Sequence, residues 1–577
     1  MEDLIKPYGG KLCNLVVSDE QAGLLKTQSA DFPSITLTQR QLCDLELLVN
    51  GGFSPLTGFM TRKVYDSVID RMRLPDEMLW PIPITLDIND EVSKKLTVGS
   101  RLSLLDQEGF MLAVLAVEDI WKVDKDREAQ AVYGTRSKEH PGVRYLYEEV
   151  SDNYVGGTIE AIQLPTQFDF ETLRDTPQDL RNLFHKMGWR RVVAFHTSKP
   201  MHKIHQEVTL QAAKLAKAHI LLHPAVGQTK PGDLRYYARV HCYDAIRKKY
   251  PHNLAVLSLL PLAVRMAGPR EGLLNAIIRQ NYGCSHIIVG PDHASPPAVP
   301  GQTAMFYPLY AAQELMTKHQ DELDIIMIPF KEMQYVSQVH QFLPVDEIEK
   351  QGFESSRLND EEIQLKLAHG LEIPEWYSYP EVIKELRKVC PPRSKQGITL
   401  FFTGLSGAGK STIAKIVYAK FIEAGGRPVT LLDGDVVRQN LSSELGFSKA
   451  HRDLNVRRIG FVASEISKNG GIAICAPIAP YMATRRVVRD MVEEHGAFIE
   501  IHVATPLDVC EQRDRKGLYA KARKGIIPEF TGISDPYEVP EKPEIRIDTS
   551  SLSPMEAAQE VILYLLGEGY LDMGSSA

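Results

Sequence analysis

The stretch Thr403-Gly404-Leu405-Ser406-Gly407-Ala408-Gly409-Lys410-Ser411-Thr412 decides the reading of this chain. It fits G-x-x-x-x-G-K-[S/T] and lies between a strand-like run, Ile398 to Thr403, and a helix-spaced run with Ile413, Ile416, Val417 and Phe421 on one face. Gly425-Gly426 closes that helix. Glycines let successive backbone N–H groups turn around phosphate oxygens, and the helix beginning near Lys410 adds its positive end. The pattern predicts ATP binding by Gly404, Leu405, Ser406, Gly407, Ala408, Gly409, Lys410, Ser411 and Thr412. Lys410 is expected to reach the β- and γ-phosphates, and Ser411 to ligate Mg²⁺. A chance glycine-rich turn would lack the flanking strand and helix.

The next strand-like run, Val429 to Leu432, ends in Asp433-Gly434-Asp435-Val436-Val437-Arg438. Open α/β sheets bind ligands beyond the carboxyl ends of their strands, so Asp433 and Asp435 are expected to face the phosphates. One would hold Mg²⁺, assigned here to Asp433, while the other orients or deprotonates an attacking hydroxyl. The competing reading is an ordinary Asp-Gly turn with two solvated carboxylates. Further alternation predicts helix 452–469, strand 472–476, helix 481–494 and strand 498–503, a parallel sheet with its own core.

Upstream, Cys390-Pro391-Pro392 stops a helix, and residues 391–397 read as a linker. Residues 1–165 carry short apolar runs such as Pro81 to Leu86 and Met111 to Val117, a β-rich domain. Residues 166–330 alternate strand and helix: 191–196, 202–217, 219–223, 270–280 and 286–290. This predicts a Rossmann-like, doubly wound sheet. Residues 331–390 read as a small helical appendix and 398–577 as the phosphate-loop domain, an α/β multidomain chain overall.

Composition narrows the function. The 577 residues include 66 Lys and Arg against 74 Asp and Glu, a net charge of −8, which argues against a general nucleic-acid or membrane-surface binder. The apolar run Leu254 to Val264, interrupted by Ser258 and Pro261, falls far short of the ~20 residues that span a bilayer. No signal-peptide pattern precedes it. Seven cysteines, none in a CxxC pair, read as reduced cytoplasmic thiols.

Beyond the loop, Leu445-Gly446-Phe447-Ser448 with Arg452, Asn455 and Arg458, the stretch Asp514 to Arg523, and Phe530-Thr531-Gly532-Ile533 together resemble adenylylsulfate (APS) kinase over 398–577. The resemblance implies transfer of the ATP γ-phosphate to the 3′-hydroxyl of APS, giving PAPS. It implies that Arg438, Arg452 and Asn455 bind the phosphosulfate, that Phe447 and Phe530 sandwich the adenine, and that Ile478 and Lys516 line the same pocket. Arg513 would lie against the ATP base. Guanidinium forks suit an anionic mixed anhydride, and an aromatic face suits a purine. Two positions depart from many relatives. Val436 stands where Asn is common. Ala479 stands where Ser is common, which excludes a phosphoserine and leaves direct in-line transfer.

The first 390 residues resemble ATP sulfurylase, with a PUA-like N-terminal domain, on stretches including Leu37 to Glu46, Asn50 to Met60, Thr229 to Asp233, Gly268 to Glu271 and Ile373 to Trp376. The family loop Gln-x-Arg-Asn-Pro-x-His-x-x-His reads His196-Thr197-Ser198-Lys199-Pro200-Met201-His202-Lys203-Ile204-His205 here. Both histidines remain, so an ATP-phosphate cradle at a helix start is expected to survive. His196, Ser198 and Lys199 replace the Gln, Arg and Asn, and Pro291 replaces the arginine of Gly-Arg-Asp-His. Each lost electrostatic stabiliser typically removes ~10²–10³ in rate. Lys199 restores charge, but as a point and not a fork.

The expectation is therefore an APS kinase whose sulfurylase-like region lacks efficient sulfurylase activity, in a homo-oligomer, dimer or hexamer. A bifunctional ATP sulfurylase/APS kinase is the first alternative. A sulfurylase-fold protein with a regulatory nucleotide-binding C-terminal domain is the second. A zinc site at His202 and His205 is a further alternative, with no nearby ligand set to complete it.

Overall fold

Short apolar segments of the N-terminal region, β1 (Ser34–Thr36), β2 (Gly58–Phe59), β3 (Leu86–Ile88), β4 (Arg101–Leu105), β5 (Met111–Lys122) and β6 (Asn153–Ala161), form a mixed sheet in the order β1-β4-β5-β6-β2, with β3 also on β6. Inward residues such as Leu102, Leu104, Leu115 and Val155 meet Phe53, Trp80 and Tyr154 in the core. The run Pro81 to Leu86 is not the strand its composition predicts. Pairing starts only at Leu86, because Pro81 and Pro83 have no N–H for a ladder. The structure, a computed structural model, describes residues 4–197, 199–227, 236–297, 305–446, 448–514 and 516–571. Ser198, Phe447, the side chain of Asp435 and the stretch 229–233, all given roles or resemblances by the sequence, lie outside the described residues.

Five parallel strands follow: β7 (Val192–Phe195), β8 (His219–Leu222), β9 (Ala255–Leu257), β10 (His286–Val289) and β11 (Ile326–Pro329), in the order β11-β10-β7-β8-β9. The chain winds one way from β7 to β9, then returns to place β10 on the other side of β7. The switch point therefore lies between β7 and β10. The next segment is less helical than predicted. It opens with a hairpin, β12 (Met333–Val336) and β13 (Gln341–Pro344), before helices Val345–Gln351, Asp360–Ala368 and Pro380–Val389. Alternating Met333, Tyr335 and Phe342, Pro344 supply the hairpin's two-residue period, which the charged helices beside it mask.

The chain divides into two compact units: residues 1–358 with 374–389, and 359–373 with 390–577. The second unit is built on β14 (Ile398–Thr403), β15 (Val429–Asp433), β16 (Ile472–Ala476), β17 (Ala497–Val503) and β18 (Ile545–Ile547), all parallel, in the order β15-β16-β14-β17-β18. Every residue of β14 and β16 is buried, as expected for strands covered by helices on both faces. Helices Lys410–Ala424, Lys449–Lys468 and Met482–Glu493 stand where the periodicity predicts, within three residues at each end. Short helices Gly434–Asn440, Leu507–Arg513 and Leu518–Arg523 and the final helix Pro554–Gly567 complete the unit. Among the described residues no helix is long and apolar enough to cross a membrane.

Candidate functional site

In the second unit the glycine loop leaves β14 with backbone that only glycine tolerates. Gly404 sits at φ +146°, where a Cβ would lie 2.5 Å from the Val503 carbonyl, and Gly407 at φ +79°, where it would lie 3.0 Å from that of Cys510. Side chains hold the loop from outside. The hydroxyls of Thr505 and Thr549 each lie 3.0 Å from the Ala408 carbonyl and 2.7 Å from each other. The Tyr519 hydroxyl donates to the Ser406 carbonyl at 2.8 Å. Arg513 grips Thr549 through two 2.8 Å bonds, to its hydroxyl and its carbonyl, so the predicted base-side residue also braces the loop.

Lys410 opens the helix Lys410–Ala424, and its Nζ donates to the Gly404 and Leu405 carbonyls at 2.8 Å each. Burial lowers its pKa to about 8, with Lys516 pushing the same way and Cys510 and Asp433 opposing. The ammonium thus rests on the loop's own oxygens. Ser411 and Thr412 follow in the first turn of that helix. Asp433 ends β15 and is 8% exposed, opposite Ala476 of β16. Asp435 falls in the first turn of the helix Gly434–Asn440.

Two of the predicted APS residues, Ile478 and Phe530, touch the loop or the tyrosine that braces it. Ile478 follows β16, and its carbonyl accepts from Gly404 N–H at 3.4 Å and Thr403 Oγ1 at 2.8 Å. Ala479 adopts φ +47°, a strained conformation for a residue with a side chain, and its carbonyl is held by Arg485 at 2.9 Å. Arg438 donates to the carbonyls of Leu445 and Gly446, both at 3.1 Å, directly before Phe447. Arg452 donates to Thr531 Oγ1 at 2.7 Å and pairs with Asp535 at 3.0 Å. Arg452 Nε and Asn455 Oδ1 are buried with no hydrogen-bond partner among the described residues, which suits a polar ligand. Half-buried Phe530 meets Tyr519 edge-on. Lys516 lies just before the helix Leu518–Arg523. Sequence reasoning assigned no role to Tyr519, Asp535, Thr505 or Thr549. Tyr519 alone carried a signal, as an aromatic inside a quoted basic stretch.

In the first unit, His196 follows β7 and His293 follows β10, on the two sides of the switch point, with ring centroids 6.1 Å apart. Burial pushes the His196 pKa well below normal and that of His293 to about 4, and nearby Arg279 pushes both the same way. Arg279 donates to Asn275 at 2.6 Å and to the His223 carbonyl at 3.3 Å. Its sequence signal was a charged residue directly after the mostly apolar run Leu273 to Ile278, within one buried helix. His202 Nδ1 meets Ser378 Oγ at 2.9 Å, and its ring lies 4.5 Å from that of Tyr377. His205 Nδ1 accepts from the His202 N–H at 3.0 Å. The Lys203 N–H donates to the Tyr377 carbonyl at 3.2 Å, so the expected phosphate cradle has its first amide already occupied. Lys199 is exposed and Pro291 half-buried.

Residues 5–164 match the PUA-like domain family, 171–389 the ATP-sulfurylase family and 396–548 the adenylylsulphate kinase family. The chain is 47% identical to the sulfate adenylyltransferase of Chaetomium globosum over 98% of its own length and 99% of that protein. It is 47% identical to that of Mycosarcoma maydis over 97% and 98%. A solved structure described as a hexameric APS kinase from Thiobacillus denitrificans superposes with a TM-score of 0.81 at 42% identity, covering 99% of this chain and 100% of that one. The chain belongs to the sulfate adenylyltransferase family, with a PUA-like domain, an ATP-sulfurylase domain and an adenylylsulphate kinase domain fused in one polypeptide.

Proposed function

We propose that the C-terminal unit transfers the γ-phosphoryl group of ATP to the 3′-hydroxyl of APS, giving PAPS and ADP. The observation that carries this reading is one chain of contacts. Arg452 binds Thr531, the preceding residue Phe530 meets Tyr519, and Tyr519 bonds the phosphate-loop carbonyl of Ser406. A buried arginine, an aromatic ring and the glycine loop are thus linked by direct contacts, which supports one shared crevice for APS and ATP. In this reading Lys410 takes the β/γ-phosphates, Asp435 orients the acceptor hydroxyl, and Arg438, Arg452, Asn455, Ile478, Lys516, Phe447 and Phe530 hold APS. Ser411 and Asp433 suit Mg²⁺, since a hydroxyl and a buried carboxylate form part of an oxygen-only set that phosphates and water complete. Bound there, Mg²⁺ neutralises phosphate charge. APS-dependent ADP release by the purified chain is the test. ATP binding with no such release would instead favour a regulatory nucleotide domain.

A second reading, favoured by the comparisons, is that the same chain also forms APS from ATP and sulfate. The relatives that share its full length at 47% identity are named for that activity, which weighs against the loss expected from His196, Ser198, Lys199 and Pro291. Pyrophosphate release from ATP and sulfate, abolished by His202→Ala, would establish it. No turnover above background would restore the single-activity reading. A cytoplasmic homo-oligomer completes the proposal. Seven cysteines outside any disulfide support the compartment, and the hexameric description of the Thiobacillus denitrificans protein supports the assembly.

A further inference from the structure

One side chain touches both halves of the kinase crevice. Tyr519 is 1% exposed. Its hydroxyl donates to the Ser406 carbonyl at 2.8 Å, and its ring meets Phe530 at 5.1 Å and 77°. Asp514 fixes the backbone beneath it, accepting from the Tyr519 N–H at 3.1 Å and the Ala520 N–H at 3.0 Å. A trans peptide sets its C=O and N–H on opposite sides. Holding the Ser406 carbonyl toward Tyr519 therefore turns the Gly407 N–H away from it, to the side where a phosphate oxygen would sit. The edge-on ring contact fixes how far Phe530 can tilt. A buried hydroxyl also needs its acceptor, so the bond to Ser406 resists breaking when the loop is strained.

We propose that Tyr519 is a positioning residue that links the two substrate sites, orienting the phosphate-loop amides through its hydroxyl and the aromatic platform for APS through its ring. This rests on the kinase reading above.

Two variants of the full chain test it. Tyr519→Phe removes only the hydroxyl and should raise KM for ATP roughly two- to ten-fold, the weight of one hydrogen bond, with KM for APS within about two-fold of the parent. Phe530→Leu should raise KM for APS and, by unseating Tyr519, also raise KM for ATP about two-fold or more. A merely structural role would lower the melting temperature of Tyr519→Phe and leave its kinetic constants in place, which would overturn the proposal. Should Tyr519→Phe fail to fold, Phe530→Leu decides alone, and an unmoved KM for ATP rejects the link. Calorimetric binding of a non-hydrolysable ATP analogue, without APS, separates this proposal from the kinase reading. A parent chain that makes no APS-dependent ADP sinks the reading. Equal analogue affinity in parent and Tyr519→Phe sinks the link.

Discussion

The guanidinium of Arg452 lies 3.0 Å from the carboxylate of Asp535, whose Oδ2 also accepts from the Tyr481 hydroxyl at 2.7 Å. An internal anion thus neutralises an arginine that the kinase reading gives to the substrate. Removing it leaves a mostly buried cation without its partner.

Asp535→Asn should lower stability by about 2 kcal/mol, less than the ~3–5 kcal/mol of a fully buried broken pair because some solvent reaches it. APS carries the missing negative charge, so it should raise the melting temperature of the variant more than that of the parent. Thermal shift with and without APS measures both. An equal or smaller APS shift in the variant would reject this account.

Lys410 binds phosphate only as an ammonium, and burial lowers its pKa to about 8 in the free protein. For the kinase reaction, kcat/KM for ATP should therefore fall above about pH 8, since that ratio reports the free enzyme. Stability moves the other way. Between about pH 8 and the unfolded value near 10.5 the unfolded chain binds the extra proton, so the folded state gains as pH rises through that window. Initial rates at limiting ATP from pH 6.5 to pH 9.5 check the first effect, and denaturant midpoints the second.

Asp433→Asn keeps the shape of the β15 terminus and removes the charge. Under the Mg²⁺ assignment kcat should drop ~10²–10³-fold while APS affinity stays within about two-fold. Parallel kinetics and equilibrium APS binding separate the two quantities. A variant with full turnover would place the metal elsewhere.

Burial holds His202 near pKa 3, His140 and His293 near 4, and His196 and His223 well below normal. Each binds its proton in the unfolded chain from about pH 6.5 downward and in the folded chain only at a much lower pH, so stability of the first unit falls as pH drops below about 6.5. All four tryptophans, Trp80, Trp121, Trp189 and Trp376, belong to this unit, so their fluorescence follows it selectively. Its urea midpoint should fall clearly between pH 7 and pH 5. A midpoint unchanged over that range would mean these histidines already titrate alike in both states.

Local pattern alone determined much of this protein. The glycines of 404–409, the apolar β14 and β16 and the amphipathic helices between them carry their conformation in neighbouring residues, because a parallel strand buried on both faces must be continuously apolar and a phosphate loop must have positive φ. The charged flanks of 333–344 hid a hairpin, and Pro81 and Pro83 counterfeited a strand, because composition does not say which N–H groups find partners. Only the tertiary structure decided what the side chains near the crevice do. Arg452 meets Asp535 across 83 positions of sequence, and Tyr519 meets Ser406 across 113. Such contacts arise from strand order and helix packing, which bring distant residues within bonding range and leave no spacing rule along the chain.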